Sequence, residues 1–289
     1  AGGMSMYRHS NYQPGKATLY LIPTPIGNLE DITLRALRTL KEVNAIYAED
    51  TRNTMKLLNH YKITGELKSL HEHNEKEVTP DIIERLARGE NIGIVSDAGM
   101  PLFSDPGYGL VQKAMGAGYN VVCLPGANAA TTGLLMSGIN PHPFTFVGFL
   151  DTRKSKRKAR LEELRFRKET LIFYEAPHRI KAMLADLAET YPDRMVCVCR
   201  EISKKFEEIV KGTAEELSQI EDWKGEMVVV MEGAYDDDST VDKDSYCQQV
   251  EALVKAGTRL SEAAKKVSET TGVSKNVIYQ EYLAKTKKQ

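Results

Sequence analysis

Along most of the chain, short apolar runs alternate with longer segments in which apolar residues recur every three or four positions, the pattern of strands alternating with amphipathic helices. Residues 18–23 read as a strand, 24–31 as a tight loop, and 32–43 as a helix whose Leu34, Leu37 and Leu40 give one apolar stripe. Glu30 and Asp31 place acid where the dipole of that helix favours it. A strand at 45–49 leads through Glu49-Asp-Thr-Arg52 into a helix carrying Leu57 and Leu58. The alternation continues with a helix at 76–88, a strand at 92–95, a helix at 108–115, a strand at 121–124 and a helix at 128–136. Such regular alternation predicts an α/β fold on a mostly parallel sheet.

The pattern changes after Asn140-Pro-His-Pro143. Strands at 144–149, 170–174, 195–201, 207–211 and 227–231, with helices at 177–191 and 214–220 and a basic helix after the first strand, predict a second α/β domain on a mixed sheet. The acidic run Asp236-Asp-Asp-Ser239 reads as a linker. Helices at 244–255, 260–270 and 275–285 follow, broken at Gly257 and Gly272. This spacing is compatible with a helix-turn-helix reader of nucleic acid and equally with a small packing bundle. The expected organisation is 1–16 disordered, 17–139 and 140–235 as two α/β domains, and 236–289 as linker and helical domain.

Composition narrows the class without naming it. With 42% hydrophobic and 27% charged residues in 289, the chain has the balance of an ordinary soluble protein. No run approaches a membrane span, and residues 1–16 lack the apolar core of a secretory signal, so a cytoplasmic location is expected. Cys123, Cys197, Cys199 and Cys247 lack CxxC spacing and are expected to be reduced, structural thiols. The net charge of -1 conceals segregation. Residues 151–168 hold nine Lys/Arg against three acids, and residues 239–289 nine against six, which makes a polyanionic partner plausible.

The densest chemistry lies in Gly93-Ile-Val-Ser-Asp-Ala-Gly-Met-Pro-Leu-Phe-Ser-Asp-Pro-Gly107, where a strand breaks into glycines, prolines and aspartates. Ligands of parallel sheets sit outside such strand ends, and Gly99 and Gly107 allow positive φ and a close approach to backbone. The competing reading is a surface connection with Pro106 as the first residue of the next helix. Neither GxGxxG nor GxxxxGK[ST] occurs, so a dinucleotide site of Rossmann type or a P-loop is not expected. HExxH and GxSxG are also missing, and His71-Glu-His73 reads as an exposed polar segment rather than a metal site.

Seven ordered motifs carry a resemblance: Thr24-Pro-Ile-Gly-Asn-Leu-Glu-Asp-Ile-Thr-Leu-Arg-Ala-Leu37, Glu49-Asp-Thr-Arg52, Ser96-Asp-Ala-Gly-Met-Pro101, Ser104-Asp-Pro-Gly107, Leu124-Pro-Gly126, Tyr174-Glu-Ala-Pro-His-Arg179 and Lys224-Gly-Glu226. Through them the chain resembles the branch of the tetrapyrrole methylase superfamily that modifies small-subunit ribosomal RNA. The resemblance implies two α/β methylase domains with a cofactor cleft between them, a homodimer, and S-adenosylmethionine-dependent 2'-O-methylation of a cytidine ribose in 16S rRNA. It implies cofactor contacts from Pro25, Gly27, Asp97, Ala98, Gly99, Met100, Phe103, Ala127 and Asn128, with Tyr174 and Arg200 opposite. Met100 and Ala127-Asn128 depart from the Thr and Pro-Ser usual in relatives, which blurs those individual contacts.

Methyl transfer to a hydroxyl needs alignment, and a base to take the proton; the candidates are Glu175, His178, Glu201 and Lys204. Glu175 and His178 fit equally a purely structural role around the Pro177 turn. Arg52 and Arg179, together with Arg153, Lys154, Lys156, Arg157, Lys158 and Arg160, are expected to hold RNA phosphates. Two rivals compete: a superfamily member acting on a tetrapyrrole or other small molecule, and a non-catalytic nucleic-acid-binding regulator. The basic segment speaks against the first and the glycine- and proline-shaped loops against the second.

Overall fold

The computed structural model describes residues 6–11, 13–103, 106–234 and 243–287, which separate into two compact units. The first comprises residues 1–132 with 203–205, and the second residues 133–202 with 206–289, so the division falls inside one helix. The expected linker at 236–239 and the Ser104-Asp105 part of the fourth motif lie outside the described residues.

The first unit is a five-stranded parallel sheet with β1 (Thr18–Leu21), β2 (Ala45–Ala48), β3 (Glu66–Ser69), β4 (Ile92–Val95) and β5 (Asn120–Cys123) in the order β3-β2-β4-β1-β5. All four strand pairs are parallel. Helices α1 (Leu34–Glu42) and α2 (Thr51–His60) lie on one face, where Ala36, Leu40 and Leu58 pack with Ile22, Ile46, Val95 and Leu124. Helices α3 (Glu75–Ala87) and α4 (Tyr108–Gly116) lie on the other, where Ile82, Leu86, Leu110 and Ala114 pack with Leu19, Leu21 and Ile92. Right-handed crossovers require this arrangement: the chain moves toward β3 over one face and returns toward β5 over the other. The connections after β1 and β4 therefore leave adjacent strand ends toward opposite faces, which is the switch point where open α/β sheets bind ligands.

Local chemistry sets the helix starts. Thr33 caps α1 through its side chain to the Ala36 amide, and Leu29–Asp31 form a separate 3-10 turn capped by Asn28, so the helix expected from residue 32 begins two residues later. Leu34 is consequently 86% exposed, outside the expected stripe. Leu40 lies six residues on, roughly 120° around the helix, and it is Ala36 and Leu40 that face the sheet. The helix α4 starts at Tyr108 after Gly107 at φ +128°, so Pro106 is not its first residue. Strand β3 escapes the apolar pattern altogether, being a short polar edge with alternating exposure. Within residues 6–16, His9 Nε2 shares a 2.7 Å hydrogen bond with Asn120 Oδ1, so this part of the segment expected to be disordered carries a defined contact.

Helix α5 (Ala129–Met136) runs across the division, its residues from Gly133 onward belonging to the second unit. The second sheet holds β6 (Phe144–Phe149), β7 (Thr170–Glu175), β8 (Met195–Arg200), β9 (Glu208–Thr213) and β10 (Met227–Met231) in the order β6-β7-β10-β8-β9. Only β6 and β7 are parallel, so the sheet is mixed as expected. Helices α6 (Lys154–Leu164), α7 (Ile180–Thr190) and α8 (Ala214–Ser218) cover one face through Leu161, Leu164, Met183, Leu184, Leu187 and Leu217. On the other face, a Cβ at Gly133 would stand 2.8 Å from Val228 Cγ1, so glycine is what allows α5 to lie this close to β10.

The Cys197 and Cys199 thiols point to one face of β8, buried and 3.8 Å apart, without a disulfide. Helices α9 (Lys243–Lys255), α10 (Leu260–Thr271) and α11 (Lys275–Lys287) enclose their own core of Tyr246, Val250, Ala263, Ala264, Val267 and Ile278. Gly272 ends α10 in the left-handed conformation at φ +75°. Among the described residues no helix is long and apolar enough to cross a membrane.

Candidate active site

In the first unit the motif residues gather at the carboxyl ends of β1, β2, β4 and β5. Thr24 and Gly99 form an isolated antiparallel bridge, with Thr24 N donating to Gly99 O at 3.1 Å and Gly99 N to Thr24 O at 2.9 Å. The bridge ties the loop after β1 to the loop after β4 across the switch point. Gly99 sits at φ +78°, and a Cβ there would meet Ile26 Cγ2 at 3.0 Å and the Ala127 carbonyl at 3.3 Å. Ser96 Oγ donates to the Gly99 carbonyl at 3.1 Å, and Asp97 Oδ1 accepts from Asp50 N at 3.0 Å, which fastens the end of β2 to the same loop. In the third loop a Cβ at Gly126 would overlap Pro23 Cγ at 2.3 Å, and Asn128 Oδ1 accepts from Thr131 N at 3.0 Å to start α5.

These contacts explain the residue choice: glycine and proline let four strand ends crowd together, while Ser96, Asp97 and Asn128 bond to backbone. Asp97, Ala98, Gly27 and Phe103 are exposed there, Pro25, Met100, Ala127 and Asn128 are half-buried, and Gly99 is buried. A cleft of about 370 Å³ opens beside the bridge, lined by Thr24, Pro25, Gly27, Ser96 and Asp97 and by Asn53, Lys56 and His60 of α2. The three α2 residues are i, i+3 and i+7 on one helix face, a polar stripe visible in the sequence but not among the expected site residues. Thr24 is only 4% exposed, and its Oγ1 has no hydrogen-bond partner among the described residues. A buried hydroxyl of that kind calls for a polar partner, which a water or a ligand can supply. Asp50 caps α2 by accepting from Arg52 N, and Arg52 itself is exposed.

In the second unit, Tyr174 meets Phe146 and Phe149 edge to face at 5.0 and 5.6 Å between ring centroids. Glu175 points the other way, to the face of β7 shared with Leu171 and Phe173, and is 5% exposed. Its Oε1 accepts from Ala176 N at 2.8 Å, and burial raises its pKa against the opposing effects of that bond and of Arg179, Arg157 and His178. Glu175 therefore anchors the turn that leads to His178 and Arg179. His178 is exposed and Arg179 half-buried.

Glu201 is a non-glycine residue at φ +55°. Its Oε1 accepts from Glu226 N at 3.1 Å, and its backbone N donates to Glu226 O at 3.0 Å. A Cβ on Gly225, itself at φ +84°, would fall 1.5 Å from Glu201 Oε1. Arg200 donates to Glu208 at 2.9 Å and to the Lys224 carbonyl at 3.2 Å. The Lys224-Gly-Glu226 motif is thus a socket for Arg200 and Glu201. Lys204, in the β8–β9 connection, belongs to the first unit with Ser203 and Lys205.

The basic segment is divided by the period of α6. Arg157 is buried, with its guanidinium paired to Asp186 and donating to the Thr152 carbonyl at 3.1 Å, so it is not available to a phosphate. It lies on the stripe of Leu161 and Leu164, i+4 and i+7 from it, a signal legible in the sequence. Arg153, Lys154, Lys156 and Arg160 are exposed and Lys158 half-buried, with Arg153 on Asp151, Lys158 on Glu189 and Arg160 on Glu163. His71 and His73 lie edge to face, with His73 beside Glu72.

Fold and strand-end loops together define a methylase of the tetrapyrrole class. Residues 18–218 match the family Tetrapyrrole (Corrin/Porphyrin) Methylases, and the chain belongs to it. It is 46% identical over 92% of its length, and 95% of the relative's, to ribosomal RNA small subunit methyltransferase I of Halalkalibacterium halodurans. The protein of the same name from Bacillus subtilis is also 46% identical, over 91% of this chain and 93% of its own. Among solved structures, diphthine synthase superposes with a TM-score of 0.64 at 15% identity, covering 75% of this chain and 90% of its own. Uroporphyrin-III-C-methyltransferase from Thermus thermophilus superposes with a TM-score of 0.55 at 18% identity, covering 75% and 94%. At these identities the structures share the fold, and family membership makes the chain a methyltransferase.

Proposed function

We propose that the chain is an S-adenosylmethionine-dependent methyltransferase of small-subunit ribosomal RNA, acting as a cytoplasmic homodimer on the 2'-hydroxyl of a cytidine in 16S rRNA. The substrate rests on 46% identity along 92% of the chain to a protein named for that activity. The observation that carries the cofactor is the glycine-shaped bridge of Thr24 and Gly99 beside an unpartnered buried hydroxyl. When bound, S-adenosylmethionine supplies an electrophilic methyl group on a sulfonium sulfur.

Thr24 Oγ1, backbone groups of 25–27 and 97–100, and the Ala127-Asn128 turn fit its polar parts. The chain then has to hold the ribose hydroxyl in line with the methyl carbon and accept its proton. We assign the proton to His178, the exposed member of the four ionisable candidates that makes no hydrogen bond among the described residues. The carboxylate of Glu201 already accepts from Glu226 N, and the compact cationic head of a lysine such as Lys204 suits holding phosphate.

The test is transfer of labelled methyl groups to unmodified small subunits, with the product strand read by alkaline hydrolysis, which a 2'-O-methyl group blocks at one bond. Label at an alkali-resistant cytidine supports the assignment. Label on uroporphyrinogen and none on RNA would transfer the chain to the small-molecule branch. His178→Ala should lower turnover by about 10²–10⁴-fold while leaving cofactor affinity unchanged; unchanged turnover would remove the base assignment alone.

A further inference from the structure

Helix α2 contains no acidic residue and presents Arg52, Asn53, Lys56 and His60 to solvent within a stripe roughly 100° wide. Arg52, Lys56 and His60 stand at i, i+4 and i+8, so the helix rise spreads them over about 12 Å. Two features of this stripe run against helix stability. Arg52 lies in the first turn, where the helix dipole disfavours a cation, and Arg52 and Lys56 are like charges at i, i+4. The dipole accounts for His60 in the last turn but for neither of the other two.

Among the described residues no carboxylate lies within ion-pair distance of Arg52, Lys56 or His60. The basic segment around α6 differs, since Arg153, Arg157, Lys158 and Arg160 each meet an acid there. Asn53, Lys56 and His60 also line the cleft of about 370 Å³ that Thr24 lines, the residue whose buried Oγ1 lacks a partner among the described residues. The carboxylate of that cleft, Asp97, accepts from Asp50 N at 3.0 Å, and Asp50 in turn accepts from Arg52 N at 2.9 Å. The proposed cofactor contacts come from the strand-end loops and none from α2. Two fixed cations and an imidazole spread over about 12 Å are more than one cofactor carboxylate can engage, and they suit an anion that repeats along a chain.

We propose that the α2 stripe is the docking track for the sugar-phosphate backbone of the RNA substrate: Lys56, His60 and Asn53 hold one phosphate at the cleft, and Arg52 holds a neighbouring one. This rests on the reading of the chain as an rRNA methyltransferase and names the element that brings the acceptor strand to the strand-end loops.

The experiment uses the full chain, with oligocytidylate and oligouridylate of one length followed by anisotropy across salt concentrations. Replacing Arg52 and Lys56 together with Gln should weaken both oligonucleotides alike, by about 10-fold, and lower the salt slope by about 0.7 for each phosphate no longer neutralised. The same variant should raise KM for small subunits and leave kcat and the heat of S-adenosylmethionine binding unchanged, whereas Lys56→Arg should retain RNA affinity. An unchanged slope and KM in the folded double variant, with the unaltered chain methylating small subunits, would overturn the track and leave the rRNA reading standing. Weakening of one oligonucleotide only would overturn the backbone assignment in favour of base contacts. Loss of S-adenosylmethionine binding in the folded variant would give the stripe to the cofactor instead. No methylation of RNA by the unaltered chain would overturn both readings.

Discussion

At the scale of single residues, several motif positions are shaped by what a side chain would collide with. Gly99 holds a conformation that costs an L-residue about 1–2 kcal/mol, and a valine there would push on Ile26 and the Ala127 carbonyl. Gly99→Val should therefore fold with a lowered melting temperature and show no heat of S-adenosylmethionine binding by calorimetry; full affinity in a folded variant would place the cofactor elsewhere. Arg157 and Asp186 make the opposite case, a basic residue committed to the interior. Removing one member of a buried pair costs about 3–5 kcal/mol, so Arg157→Ala should show a large drop in denaturant midpoint, while RNA affinity per folded molecule stays constant.

Glu175 sets a pH dependence. Its folded pKa is raised above the ordinary value of 4.5 by burial, so the folded chain binds this proton more tightly than the unfolded one. Stability from this group is present below pH 4.5 and declines as pH rises through the folded value. Glu175→Gln keeps an oxygen for the Ala176 amide and should flatten that decline in unfolding curves taken across the range; an unaltered slope would show that the burial is not felt.

At the scale of elements, the informative comparison is α6. A net charge of +6 over residues 151–168 suggests a uniformly basic rod, but the helical period turns Arg157 inward with Leu161 and Leu164. The exposed side carries Arg153, Lys154, Lys156 and Arg160. Replacing these four with Gln should lower the slope of log affinity against log salt by about 0.7 for each phosphate no longer neutralised, and leave cofactor affinity intact. An unaltered slope would make the helix a solvated face only. The same period accounts for α1, where Leu34 is phased out of the core, and the absence of an apolar pattern accounts for β3. Edge strands are short and polar, so their sequences carry little of the period-two signal.

At the scale of the whole molecule, the expected cofactor loops and the three C-terminal helices have separate cores. The tail packs its own Tyr246, Val250, Ala264 and Ile278, and none of the proposed cofactor contacts comes from it. A chain ending after Ala234 should fold and bind S-adenosylmethionine with unchanged affinity. If Lys265, Lys266 and Lys275, all exposed, touch phosphates, its KM for small subunits should rise. Equal methylation by both chains would leave the tail without a role in RNA binding.

The sequence alone determined the order and kind of nearly every element, because apolar period, caps and glycine breaks are written locally. It also determined the family, because seven motifs in order identify strand-end loops that glycine and proline keep narrow. Tertiary structure decided which charges are free. The helical period puts Arg157 on the apolar stripe, but a long arginine there could still reach out to a phosphate; Asp186, 29 residues away, is what takes up its charge. The folded chain decided likewise that the Glu175 carboxyl anchors a turn, that Glu201 is seated over Gly225, and that Phe149 is turned outward beside Tyr174. Each depends on a partner brought close by sheet pairing or helix packing, and such long-range contacts exist only once the chain has folded.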